Sequence, residues 1–200
     1  MSIAEMAVNG VENVRGFGQC AVMNRFWICA WIVAAGLWLA GCNKPATATT
    51  TNASVGIDPI HGHLLAAQPR LPTVKLWLGD RELTTEVARR PVEIATGMMF
   101  RTNMTDSEGM LFVFPGTDTR SFYMRNCSVA LSAAYIDPSG TILEIIKLEP
   151  FNETAVPSAS ASVQFVLEVP QGWFDRYNVR TGAVIRSEAG DLQRTFFQRR

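Results

Sequence analysis

Gly109-Met-Leu-Phe-Val-Phe-Pro-Gly116 and, after a short spacer, Ser121-Phe-Tyr-Met-Arg-Asn-Cys-Ser128 decide how this chain folds. Both runs are dense in aromatic and β-favouring residues, and each closes on a turn signal. The second run carries Arg125 and Asn126 between apolar neighbours. A polar pair placed there is costly unless hydrogen bonds satisfy it. It is therefore either a structural lock or the floor of a binding site.

Outward from these runs the pattern repeats. Val74 to Leu78 and Glu82 to Ala88 flank Gly79-Asp80, a two-residue hairpin turn. Arg90-Pro91 opens a short helix that Gly97 closes, because proline suits the first helical position and glycine the cap. Strands are expected over Met110 to Phe114, Phe122 to Cys127 and Leu131 to Ile136. Asp137-Pro-Ser-Gly140 is a type I turn signature, and Thr141 to Leu148 runs back from it. Val163 to Val169 alternates, with Phe165, Leu167 and Val169 on one face and Gln164 and Glu168 on the other. A short helix or turn over Gly172 to Tyr177 and a last strand over Ala183 to Arg186 complete the domain, residues 71–200. About seven short strands with one or two small helices imply a mainly β fold, a compact antiparallel sandwich or barrel.

Upstream the composition changes. Residues 42–70 are rich in Ala, Thr, Pro, Asn and Gly and read as a flexible tether. The only histidines, His61 and His63, fall there; two ligands on a floppy segment rarely make a metal site, so neither metal nor cofactor is expected. Before the tether, Arg25 precedes an apolar run from Phe26 to Leu39, too short to cross a bilayer that needs about 20 residues. Residues 23–41 thus read as a signal peptide, and residues 1–22 as an overlong start. The run ends in Leu39-Ala-Gly-Cys42, which resembles the lipobox of bacterial lipoproteins and makes Cys42 the lipidation site. The expected address is the periplasmic face of a bacterial envelope, membrane-anchored through Cys42. Asn43 after it favours the outer membrane. With a formal net charge of zero there is no basic excess to neutralise phosphates, so no nucleic-acid partner is expected.

Few catalytic constellations can be assembled. The folded part has no histidine, which excludes Ser-His and Cys-His nucleophiles. Cys127 is the domain's only cysteine and reads as a buried, inert thiol in a fold without disulfides. Glu108, Asp137 and Glu168 are carboxylates that a glycoside-type hydrolase would need to pair. Arg101 and Glu108 read as a surface ion pair, and Met98, Met99, Met104, Met110 and Met124 as core filler rather than soft-metal ligands.

Five blocks then converge: Gly97-Met-Met-Phe-Arg101, Glu108-Gly-Met-Leu-Phe-Val-Phe114, Phe122-Tyr-Met-Arg-Asn126, Tyr135-Ile-Asp137 with Gly140, and Val166-Leu-Glu168 with Gly172-Trp-Phe174. In this order they resemble the bacterial and archaeal family called domain of unknown function 192, over about Val74 to Val184. The resemblance implies a compact β-sandwich or barrel, often exported behind a signal or lipid anchor, and implies no reaction. Against its pattern this chain has Tyr123 for tryptophan, Cys127 for threonine, Ser132 for aspartate and Gln164 near a basic position. The function expected is binding of a small polar ligand or an envelope protein through Arg125 and Asn126, helped by Tyr123 and Trp173. A carboxylate-based hydrolase of envelope carbohydrate or peptide, and a structural accessory of an envelope assembly, are the alternatives.

Overall fold

A computed structural model describes residues 55–198. The expected leader, Cys42 and the first part of the tether lie outside the described residues. Strands β1 (Thr73–Leu78) and β2 (Arg81–Ala88) pair antiparallel with Leu78 opposite Arg81, so Gly79 and Asp80 form the expected turn. Helix α1 (Pro91–Thr96) follows. Glu93 in its first turn reaches back, its carboxylate accepting from the backbone N–H of Arg90 at the N-cap and of Arg89 before it. Gly97 ends it at a φ of +47°, a conformation that an L side chain resists.

The chain then returns beside β2, as β3 (Glu108–Asp118), in the parallel sense. This departs from the antiparallel expectation, and its cause is the connection: residues 89–107, α1 included, are long enough to carry the chain back to the same end of the sheet. The remaining elements are β4 (Ser121–Phe122), β5 (Leu131–Ile136), β6 (Ile142–Leu148), β7 (Val156–Pro157), β8 (Val163–Pro170), α2 (Trp173–Arg176), β9 (Ile185–Ser187) and α3 (Leu192–Phe196). Seven strands form one sheet in the order β6-β5-β8-β3-β2-β1-β9, while β4 and β7 pair separately. The sheet is a curled half-barrel. Its edges meet at one end, where Ile142 N–H donates to Ala183 and Ile185 N–H donates to Gly140, each over a short backbone bond of 2.9 and 2.8 Å.

Because β3, β5 and β8 are central, both of their faces are buried. One face carries Leu111, Val113, Ala134, Ile136, Phe165 and Leu167 and packs on Trp173, Phe174 and Leu192. The other carries Met110, Phe112, Phe114, Ala133, Tyr135 and Val166 and packs on Met98, Phe122, Met124 and Cys127. The expected period in β8 holds for Phe165, Leu167 and Val169, but Gln164 and Glu168 are buried instead of facing water.

Two expectations are overturned locally. Phe122 to Cys127 is a strand only at Phe122; Cys127 N–H donates to Met124 O at 3.1 Å and closes a turn with Arg125 and Asn126 at its centre. Asn126 has a φ of +54°, and asparagine is among the few residues that adopt this region at low cost. Residues 55–70, expected as tether, are a docked strap. Ile57 bridges Leu64, Leu64 N–H donates to Thr96 Oγ1 at 3.0 Å, and buried Gln68 donates through Nε2 to Gly97 O at 2.8 Å. The strap thereby covers the carbonyls at the end of α1.

Candidate functional site

A row of residues crosses the sheet on its second face. Glu86 of β2 stands opposite Met110 of β3, Met110 opposite Glu168 of β8, and Glu168 opposite Ala133 of β5. The two carboxylates, both about 4% exposed, are two strands apart, or about 10 Å by strand spacing. They are treated differently.

Glu86 is locked. Arg101 grips it bidentately, Nη1 to Oε1 at 2.5 Å and Nη2 to Oε2 at 2.9 Å, Arg70 Nη1 adds 2.7 Å, and Leu71 N–H donates to Oε2 at 2.7 Å. Burial alone would raise its pKa, but these donors outweigh it and hold the carboxyl at about 2. Arg101 thus pairs with Glu86 and not with Glu108, as the sequence had suggested; Glu108 is met by Arg70 at 3.4 Å.

Glu168 has no such company. Its Oε2 is buried without a hydrogen-bond partner among the described residues, and burial pushes the carboxyl up to about 8. It forms the base of a cleft walled by Met98, Met99, Phe112, Phe122, Met124 and Cys127, with Tyr123 and Arg125 also in the lining. The cavity within is about 40 Å³. The Cys127 thiol is pushed up to about 12, by burial first and then by the Glu168 charge, so it is no nucleophile near neutral pH.

The expected site residues divide accordingly. Tyr123 and Arg125 do border the cleft, and the Arg125 guanidinium lies 5.5 Å from the Tyr123 ring centre. Arg125 is paired, donating from Nε and Nη2 to Glu153 Oε2 at 3.0 and 2.7 Å, so it belongs to the rim and not the floor. Asn126 contributes its turn, and its carbonyl accepts from Phe100 N–H at 2.8 Å. Trp173 is in the opposite core, fully buried, its indole N–H donating to Asp106 O at 2.8 Å. It shares no site with Arg125.

The hydrolase trio is not brought together. Asp137 Oδ1 is occupied by Thr141 N–H and the Ser139 hydroxyl, Glu108 borders a separate hollow with Arg70 and Glu86, and Glu168 is the cleft's only carboxylate. Ser132 points away from the cleft, with its Oγ accepting from Gly172 N–H, so a carboxylate missing at that position takes nothing from it.

A comparison with curated proteins finds no match. Among solved structures, the chain is similar to a protein of Sinorhizobium meliloti 1021 provisionally described as a transcription regulator, at 28% identity and a TM-score of 0.58 over 60% of this chain and 98% of that one. It is also similar to a protein of unknown function from Novosphingobium aromaticivorans, at 28% identity and a TM-score of 0.56 over 68% and 94%. Residues 74–187 match the model of DUF192, described as uncharacterized ACR, and the chain belongs to that family.

Proposed function

We propose that this is a lipid-anchored cell-envelope domain that binds a small molecule in the cleft above Glu168. The observation that carries the reading is the orphaned Glu168 carboxyl at the base of an otherwise apolar cleft. A buried polar group without a partner costs roughly 1–3 kcal/mol, and folds keep such groups where a ligand or water completes them. Near neutral pH the group is a protonated acid, with one O–H to donate and oxygens to accept. Thioether and aromatic walls suit an apolar body. A cavity of about 40 Å³ admits only a compact head group, leaving the body toward Tyr123 and Arg125. The favoured ligand is therefore a small amide, alcohol or similar hydrogen-bonding head on an apolar stem.

The leader ending in Leu39-Ala-Gly-Cys42 supports the anchor, and Asn43 the outer membrane. The transcription role in the description of the Sinorhizobium protein is not extended to this chain. Its balanced charge supplies no counterion release, and the longest described helix, α1, has six residues. A hydrolase is disfavoured because the cleft lining offers Glu168 no second carboxylate.

The test uses 13C-methyl-methionine spectra of the full chain titrated with butyramide and 1-butanol. Saturable shifts confined to Met98, Met99 and Met124, absent in Glu168→Leu, are expected. Shifts that persist unchanged in Glu168→Leu would sink the reading. For the anchor, Cys42→Ser should move the protein from the membrane to the soluble fraction; an unmodified Cys42 in membrane-bound wild type contradicts it.

A further inference from the structure

The docked strap carries a cluster that the cleft does not use. Asp58, His61 and His63 each offer a ligand atom, and these atoms all lie within 4.8 Å of one another. His61 Nδ1 is already 3.1 Å from Asp58 Oδ1. Two ligands held tetrahedrally at about 2.1 Å from one ion sit roughly 3.4 Å apart, so this pair is at coordinating separation, and the His63 ligand atom lies no more than 4.8 Å from either.

His63 supplies the independent observation. It is 97% buried, and its Nδ1 has no hydrogen-bond partner among the described residues. A buried imidazole nitrogen left unsatisfied calls for an explanation, and an ion held between it and its neighbours is one. The backbone that carries these histidines is not the floppy tether its composition implies. Asp58 N–H donates to His63 O at 2.7 Å, Gly62 N–H donates to Asp58 O at 2.9 Å, and Gly62 takes a φ of +72° to close the turn. The Ile57–Leu64 bridge and the Leu64 bond to Thr96 then fasten the turn to α1. The ligands are fixed before an ion arrives, which lowers the ordering cost of binding. The nearby Arg125 charge is neutralised by Glu153.

We propose that Asp58, His61 and His63 form a binding site for one first-row divalent transition-metal ion. Two imidazoles and one carboxylate are a donor set for Zn²⁺, Fe²⁺, Ni²⁺ or Cu²⁺ and too nitrogen-rich for Mg²⁺ or Ca²⁺. Three protein ligands leave a coordination position open.

The experiment titrates the metal-stripped full chain with Zn²⁺ against a chromophoric chelator, and records Co²⁺ visible absorption on the same protein. One Zn²⁺ per chain should bind at about micromolar or tighter, with Co²⁺ bands of nitrogen and oxygen ligation. Removing a ligand should cost more than the roughly 10–100-fold seen when only a ligand's supporting partner is lost. Because His63 is buried and His63→Ala can unfold the strap, Asp58→Asn and His61→Ala are the deciding variants, checked by unchanged melting of the metal-free proteins. Saturable binding that is lost in both establishes the site. No saturable binding in wild type, or binding that Asp58→Asn and His61→Ala leave intact, overturns it; the latter is what coordination by the cysteines alone would give.

Discussion

Glu86 and Glu168 occupy one transverse row of one sheet face, at nearly equal burial, and the fold spends four donor bonds on the first and none on the second. The difference is one of neighbourhood. Glu86 stands next to the last strap residues and the loop after α1, which bring Arg70, Leu71 N–H and Arg101. Glu168 shares its cleft with Met98 and Met99 just after α1, with Met124 and Cys127 of the turn, and with the rings of Phe112 in β3 and Phe122 in β4. A carboxylate fully neutralised by its surroundings is an internal brace. A buried carboxyl given no partner braces nothing, and its desolvation stands uncompensated within the fold.

The sharpest way to break the comparison is to remove the brace. Glu86→Ala leaves Arg101, itself only 10% exposed, without its partner. Loss of one member of a buried pair typically costs about 3–5 kcal/mol, and urea unfolding should show a loss of that order. A loss under about 1 kcal/mol would mean that the arginines rearrange into water and that Glu86 is no brace.

The two carboxylates also pull the pH profile in opposite senses. Glu86 is depressed to about 2 from 4.5, so its stabilisation is complete above about pH 4.5 and disappears as pH falls toward 2. Glu168 is raised to about 8 from 4.5, so the native state keeps a proton that the unfolded chain has released. Its contribution is most favourable below about pH 4.5 and deteriorates until pH passes about 8. At about 1.4 kcal/mol per pKa unit the swing is on the order of a few kcal/mol. Melting temperatures should therefore fall between pH 5 and about 8.5 in wild type and fall much less in Glu168→Gln. Glu168→Leu should be more stable than wild type at the alkaline end. A wild-type profile flat over this range would show that Glu168 is hydrated and unperturbed.

How much of this was legible beforehand follows from the range of the forces involved. The β1–β2 hairpin, α1 with its proline start and glycine end, the turn at Asp137–Gly140 and strand β8 rest on period, caps and turn residues, all local. The parallel placement of β3, the docking of residues 55–70 and the partner of Arg101 rest on residues far away in sequence, such as Thr96 for Leu64 and Glu86 for Arg101. Phe122, Tyr123 and Met124 favour a strand, so Arg125 and Asn126 read as its continuation although the strand ends at Phe122. The asparagine was the available signal for a turn. Trp173 looked like a contact residue, but its indole N–H finds Asp106 inside the fold. Glu168 was visible as a polar member of β8, and only the α1–Met98 cover makes that position a cleft.

The Asn126 turn gives a smaller test of how the cleft's roof is set. Asn126 sits at a φ of +54°, where a β-branched residue is strained by about 1–2 kcal/mol. Asn126→Val should lose about that much stability in urea unfolding, while Asn126→Gly stays near wild type. If Asn126→Gly loses as much as Asn126→Val, the amide side chain and not the backbone is what matters.

The smallest expected effect belongs to Arg125, and it bears most directly on lock against rim. Its partner Glu153 is 57% exposed and the arginine itself 25% exposed, so water takes over when the pair is broken. Such pairs are worth about 0–1 kcal/mol. Arg125→Ala should accordingly shift unfolding by less than about 1 kcal/mol, and Glu153→Ala by the same amount, with the double variant no worse than either single one. A brace behaves otherwise, as Glu86 should: removing one member strands the other in a dry interior. If Arg125→Ala costs as much as Glu86→Ala, the guanidinium is buried support, the cleft has no polar rim, and the Tyr123–Arg125 side of the domain is core. If the cost is small but butyramide shifts of Met99 and Met124 weaken in the variant, the arginine is free to serve the cleft, because the fold does not depend on it.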